Sequence, residues 1–240
     1  MADTLVLIRH GRIEANSKGL WHGSTDSPLL PKGLQQAKQT GEHLAEQGYP
    51  VHAIYASPLE RCQNTAAQIA SALNSRRQKA EQRGLRSNRL HRLSRGLLGD
   101  AEPVDAAQLL EPVVHDDLRE YCIGEWEGRS FSELDKEEQF IERAARDTDF
   151  APPGGESLRA VSERISSALA HIHAQHEAHE NVLVVAHGAV MGIALATLLN
   201  QDPAKWMDYH FDNCSISELL LGDFPARLPE LRRFNMTGHL

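Results

Sequence analysis

Three apolar runs in this chain end in side chains that can handle an anion. Leu5-Val6-Leu7-Ile8 leads into Arg9-His10-Gly11, and Val182-Leu183-Val184-Val185-Ala186 leads into His187-Gly188. Between them, Ala53-Ile54-Tyr55-Ala56 leads into Ser57-Pro58 and then Arg61. Unbroken apolar runs suit parallel strands covered on both faces, and residues that follow such strands emerge at the carboxyl edge of an open α/β sheet, where ligands bind. Imidazoles placed there can act as nucleophiles or proton carriers, and guanidinium groups offer forked donors to an anion. Ser57-Pro58 reads as an N-cap followed by proline at the first helical position. That puts Arg61 in the first turn, where free backbone N–H groups also favour an anion. Strand, Ser-Pro, helix and Arg together make half of a phosphate pocket. His187 stands beside the N-terminus of an apolar helix that begins at Ala189, which repeats the same logic.

The elements that must hold these groups follow from periodicity. Leu34, Ala37, Gly41, Leu44 and Ala45 recur at helical spacing and stop at Gly48, while Leu59, Cys62, Ala66, Ile69 and Leu73 mark one face of the next helix. A helix is expected from Ser130 to Arg146, and Val161, Ile165, Leu169 and Ile172 define another amphipathic one. Ile216 to Leu221 and Leu231 to Phe234 read as closing strands. The Gly-, Ser-, Asn-, Asp- and Pro-rich stretch from Gly11 to Lys32 reads as a long functional loop. The alternation of strands and helices indicates α/β architecture.

With 240 residues, 41% hydrophobic and 24% charged, the chain is long enough for one large domain. A net charge of −8 argues against general binding to nucleic acid or anionic lipid. No signal peptide opens the chain, and no apolar run is long enough to span a bilayer. Cys62, Cys122 and Cys214 are few, scattered and odd in number, which fits reduced thiols and a cytoplasmic location; without CxxC spacing they do not suggest zinc. His171, His173, His176 and His179 read as a solvated face rather than a metal site. The segment from about Asn74 to Pro112 interrupts the α/β alternation. Between Arg76 and Arg95 it holds seven Arg and one Lys against one Glu, a local net charge of +7. Arg83, Arg86, Arg89, Arg92 and Arg95 recur every third residue, a spacing that would wrap them around a helix rather than align them. The segment reads as a solvated excursion, or as a contact surface for an anionic partner.

Taken in order, Arg9-His10-Gly11 with Asn16, Ser57-Pro58-Leu59-Glu60-Arg61 with Thr65-Ala66, Leu118-Arg119-Glu120 leading to Gly124-Glu125-Trp126-Glu127-Gly128, Pro153-Gly154-Gly155-Glu156-Ser157, and His187-Gly188 resemble the histidine phosphatase superfamily, which includes cofactor-dependent phosphoglycerate mutases. Asn235 and His239-Leu240 resemble its closing segment. The resemblance implies a three-layer α/β/α sandwich with a mostly parallel sheet of about six strands. It also implies a single domain over residues 1–240, with an Arg-rich insertion at about 74–112. It assigns His10 as the nucleophile that forms a phosphohistidine. Glu120 is the candidate general acid, with Asp116, Asp117, Glu125 and Glu127 close enough in sequence to compete for that role. Arg9, Asn16, Arg61, His187 and Gly188 are candidate phosphate contacts, and Gly23 is a candidate substrate contact. No cofactor or metal is expected. One departure is Arg12-Ile13, where the family commonly carries an acidic residue and then Ser or Thr, so a hydroxyl contact is missing. The expected activity is hydrolysis of a small phosphomonoester. The alternatives are a phosphoglycerate mutase, or an inactive scaffold that binds a polyanion through the Arg-rich segment. The partner is then a small phosphorylated substrate, without membrane or nucleic acid; the oligomeric state is open.

Overall fold

The computed structural model describes residues 4–92, 109–177, 180–222, 224 and 226–240. In chain order the elements are β1 (Thr4–Arg9), α1 (Glu14–Lys18), α2 (Pro31–Glu46), β2 (Ala53–Ala56), α3 (Glu60–Arg92), β3 (Val113–Val114), α4 (Phe131–Glu138), α5 (Phe140–Arg146), α6 (Leu158–Ala174), β4 (Asn181–Ala186), α7 (Gly188–Asn200), β5 (Ile216–Leu220) and β6 (Glu230–Met236). The six strands form one sheet in the order β3-β2-β4-β1-β5-β6. Pairings among β1 to β4 are parallel, and β5 and β6 close the sheet antiparallel.

The apolar runs bury both faces of the sheet, as the lack of alternation requires. From β1, Leu5 and Leu7 join Val182 and Val184 under α6 and α7, while Val6 and Ile8 join Ile54, Leu183 and Val185 under α2 and α3. Helices on both faces of a mostly parallel sheet make the three layers. Gly41 lets α2 approach α3 closely, because a Cβ there would lie 2.8 Å from the Ile69 Cα.

Four readings need correction. The helix expected from Ser130 to Arg146 is two helices, α4 and α5, broken at Gln139 in the left-handed region (φ 51°). Leu134 and Phe140 are both fully buried; six residues apart on one straight helix they would point about 120° away from each other, and the break turns both inward. The stretch from Asn74 to Arg92 is a continuation of α3 rather than an interruption; the rest of the Arg-rich segment, including Arg95, lies mostly outside the described residues. The Gly11 to Lys32 loop contains α1 and an Ile13–Leu29 bridge. Finally, the histidines at the end of α6 are not all solvated. His173 is buried, its ring 5.8 Å from that of Phe224, and His176 is held between Tyr55 (3.1 Å) and Glu180 (2.9 Å). His179 lies outside the described residues.

Candidate active site

β1 and β4 are neighbours with Arg9 opposite Ala186, so the residues that follow them, His10 and His187, meet at the carboxyl edge with ring centroids 5.2 Å apart. Gly11 then passes under α2 so tightly that a Cβ would lie 2.4 Å from the Gly33 carbonyl oxygen. Its N–H donates to Thr65 Oγ1 at 3.0 Å, and the Thr65 hydroxyl donates to the Arg61 carbonyl at 2.7 Å, which pins the turn to α3.

His10 Nδ1 lies 2.8 Å from the Gly11 carbonyl oxygen. A carbonyl only accepts, so Nδ1 carries the proton and Nε2 keeps its lone pair. Among the described residues nothing hydrogen-bonds Nε2. Burial, and then the charges of Arg9 and Arg61, hold this imidazole well below its ordinary pKa, against a smaller upward pull from the Gly11 bond.

His187 has both nitrogens engaged. Arg61 Nε donates to Nδ1 at 3.1 Å, so the proton sits on Nε2, 2.7 Å from Ser57 Oγ. Burial, followed by Arg61, keeps this ring neutral as well. Cys62 Sγ lies 3.4 Å from Nε2, and burial pushes its thiol far up, so it stays protonated.

Arg61 is 1% exposed, and the remainder of its fork is also occupied. Nη1 donates to the Thr25 carbonyl at 2.8 Å, and Nη2 to the carbonyls of His22 and Gly23 at 3.0 Å each. Gly23 threads against the following loop, where a Cβ would lie 2.4 Å from the Tyr121 carbonyl oxygen. Glu127 clamps the same turn, accepting from the N–H groups of Ser24 and Thr25 at 2.6 and 2.8 Å. Burial alone would raise the Glu127 pKa; the hydrogen bonds from Thr25 and Ser24 outweigh it and hold the group below its ordinary value. The N-terminus of α3, which the sequence marks as open to an anion, is filled from within the chain. Both oxygens of Asp26 accept from the Glu60 N–H at 3.0 Å.

Arg9 differs from Arg61 in keeping donors free. Its Nη1 donates to the Phe211 carbonyl at 2.5 Å, but its buried Nε, beside Gly188, has no partner among the described residues. Glu120 caps α7: Oε1 accepts from Tyr121 and Val190 N–H at 2.9 and 2.8 Å, and Oε2 from Ala189 at 3.2 Å. Asn16 Oδ1 accepts from the Ile13 N–H at 3.1 Å and from Asn213 Nδ2 at 3.2 Å, leaving its own amide N–H groups without a partner among the described residues. Asn213 also donates to the His10 carbonyl at 2.9 Å.

Some of these groups border a cavity of about 540 Å³. Of the predicted site residues, Arg9, His10, Asn16, Glu120 and Gly188 line it; Arg61, His187 and Gly23 do not, although the His187 ring lies 5.2 Å from that of His10. Sequence reasoning missed the segment from Trp206 to Asn213, which supplies much of the remaining wall. Only its position between α7 and β5, at the edge where β1 ends, marks it, and that position is a product of the sheet order. Among the described residues no group of three or more His, Cys, Asp or Glu side chains could hold a metal ion, and no helix is long and apolar enough to cross a membrane.

A two-sided α/β sheet with adjacent His-Gly strand ends, and a cavity lined by an imidazole with a free nitrogen and by a guanidinium, suits a site that handles an anionic group such as a phosphoryl. The sequence model of the histidine phosphatase superfamily, branch 1, matches residues 5–87 and 99–236, and the chain belongs to that family. It is 27% identical over 238 residues to phosphoserine phosphatase 1 of Hydrogenobacter thermophilus, covering 98% of this chain and 93% of that one. It is 34% identical over 191 residues to a 2,3-bisphosphoglycerate-dependent phosphoglycerate mutase of Bartonella tribocorum, covering 78% and 77%. The crystal structure of a phosphoserine phosphatase from Entamoeba histolytica in complex with 3-phosphoglyceric acid superimposes with a TM-score of 0.73 at 26% identity, over 100% of this chain and 99% of that one. Mycobacterial relatives at 28% identity are longer, and the chain spans 54% of their length.

Proposed function

We propose that this protein is a phosphomonoesterase that works through a phosphohistidine on His10. One observation carries the reading: the Gly11 carbonyl fixes the His10 proton on Nδ1 and leaves the Nε2 lone pair free in a residue that lines the cavity. Nε2 attacks phosphorus, the N–P bond forms, and the P–O bond to the alcohol breaks. Arg9, which lines the cavity, neutralises the nonbridging oxygens, and the amide N–H groups of Asn16 help to orient them. Glu120 gives the leaving oxygen its proton. Oε1 already accepts two hydrogen bonds and Oε2 only one, so Oε2 is the oxygen with a lone pair to carry that proton. Water then attacks the phosphohistidine, Glu120 takes back a proton, and phosphate leaves. Arg61 and His187 position His10 from behind, and Gly23 anchors Arg61. All of this sits in one catalytic domain over residues 1–240. The three free thiols support a cytoplasmic location, and the charge of Arg76 to Arg95 supports a contact for an anionic partner there.

The test is to incubate the protein with a phosphomonoester in metal-free buffer, quench it, and look for an acid-labile phosphoryl group on His10 by mass spectrometry. Turnover and label should both vanish in His10→Ala; a labelled, active variant would end the mechanism. The similarity to the Bartonella mutase favours a second reading, phosphoryl transfer between phosphoglycerates. Interconversion of 2- and 3-phosphoglycerate that depends on a bisphosphate primer, and outpaces phosphate release, would establish it.

A further inference from the structure

Beyond the residues that would meet a phosphoryl group, one part of the cavity wall is apolar and aromatic. Trp21 lies parallel to Phe131 (centroids 6.0 Å apart, 14° between planes) and edge-on to Trp206 (6.0 Å), and all three line the cavity together with Ile13, Met207 and Tyr209. Ile13 belongs to a small apolar cluster with Ala15 and Leu29, so the position that could have presented a hydroxyl presents a hydrocarbon. The lining charges nearly cancel: Arg9 and Arg12 face Glu120 and Asp212. Arg9 is committed to the phosphoryl end and to the Phe211 carbonyl. Arg12, whose Nε donates to Ser17 Oγ at 3.1 Å, is the remaining guanidinium, and the lining imidazoles also have partners, His22 at Ser27 Oγ (2.9 Å) and His210 beside Asp212 (3.6 Å). A substrate with a carboxylate beside its ester would therefore set its second charge near two carboxylates, among donors on Arg12, His22 and His210 that already have protein partners. A ring would instead remove apolar surface from water and stack on that wall.

We propose that the substrate's leaving group is a bulky alcohol bearing an aromatic ring, not a short carboxylated alcohol such as serine or glycerate. The inference rests on the phosphatase reading above and adds the substrate class to it. The volume, about 540 Å³, lies in the range of sites that enclose whole organic ligands and far exceeds the needs of a phosphate. Ring stacking and apolar burial select for the ring.

The experiment compares kcat/KM for 2-phenylethyl phosphate, ethyl phosphate and O-phosphoserine. The leaving groups are all alkyl alcohols, so differences report binding rather than the reactivity of an aryl ester. The phenylethyl ester should be favoured by at least about tenfold over each of the others. That preference should shrink at least about fivefold in Met207→Glu, a substitution at a residue that is 45% exposed. Equal or better hydrolysis of O-phosphoserine, or a preference unaffected by Met207→Glu, overturns the substrate class and leaves the phosphatase standing. If none of the three esters is hydrolysed, the phosphatase reading falls and the substrate class with it.

Discussion

β1 and β4 lie side by side and end alike, each in a histidine followed by a glycine, yet their two imidazoles are set up for different work. At the end of β1 the backbone turns back so that the Gly11 carbonyl takes the Nδ1 proton, and Nε2 is left without a protein partner. At the end of β4 both nitrogens are held, one by Arg61 and the other by Ser57. Burial and neighbouring guanidinium charge keep both rings neutral. Environment alone therefore does not separate them; hydrogen-bond partners do. The same contrast divides the two arginines. Arg9 has an idle buried donor, whereas Arg61 gives Nε, Nη1 and Nη2 to protein acceptors. The free imidazole nitrogen and the idle guanidinium nitrogen thus belong to the end of β1, whereas His187 after β4 and Arg61 in the first turn of α3 are held by protein partners.

The largest effects should come from breaking this division. His10→Ala should lower kcat by at least about 10³-fold with little change in melting temperature, since the nucleophile is gone and only its bond to a neighbouring carbonyl is lost. His187→Ala should instead cost stability as well as rate. It strands Arg61 Nε and Ser57 Oγ in the interior, at about 1–3 kcal/mol each, and thermal unfolding should record a drop of roughly 5–10 °C. If both variants melt alike, the backing role assigned to His187 is wrong.

The pH dependence of stability sharpens the comparison. Both buried imidazoles have their folded pKa lowered, by burial first and by the guanidinium charges second. The unfolded chain therefore binds protons below about pH 6.5 that the folded chain refuses. Their contribution is intact above that pH and is lost as pH falls through it, with each ring adding up to about 1.4 kcal/mol per pH unit. Denaturant titrations between pH 7 and 5 should show this slope, and removing either ring alone should reduce it by about half.

A smaller effect is expected one layer out. Glu127 holds the turn whose carbonyls occupy Arg61, and its carboxyl sits below its ordinary pKa. Glu127→Gln should lower kcat/KM by about two- to fivefold and the melting temperature by about 2–4 °C. In the parent protein the stabilisation from this carboxylate should be present above the ordinary carboxyl range and fade as pH falls below it.

The sequence by itself determined the buried central strands and their exits, but not the short edge strand β3. Runs as apolar as Leu5–Ile8 and Val182–Ala186 have no solvent face, so they had to lie inside a sheet covered on both sides, with Arg9-His10-Gly11 and His187-Gly188 at its edge. The order of the motif blocks determined the family. Tertiary structure alone decided what each side chain does there. That Arg61 turns inward depends on carbonyls 36 to 39 residues away, and that His187 is fully bonded depends on groups 126 and 130 residues away. The capping of α3 by Asp26, the cavity wall from Trp206 to Asn213 and the break at Gln139 belong to the same class. Apolar periodicity records which face is buried, because burial is a local average over a segment. A hydrogen bond between distant side chains requires two positions to coincide within a few tenths of an ångström, and only the packed sheet and helices set those positions.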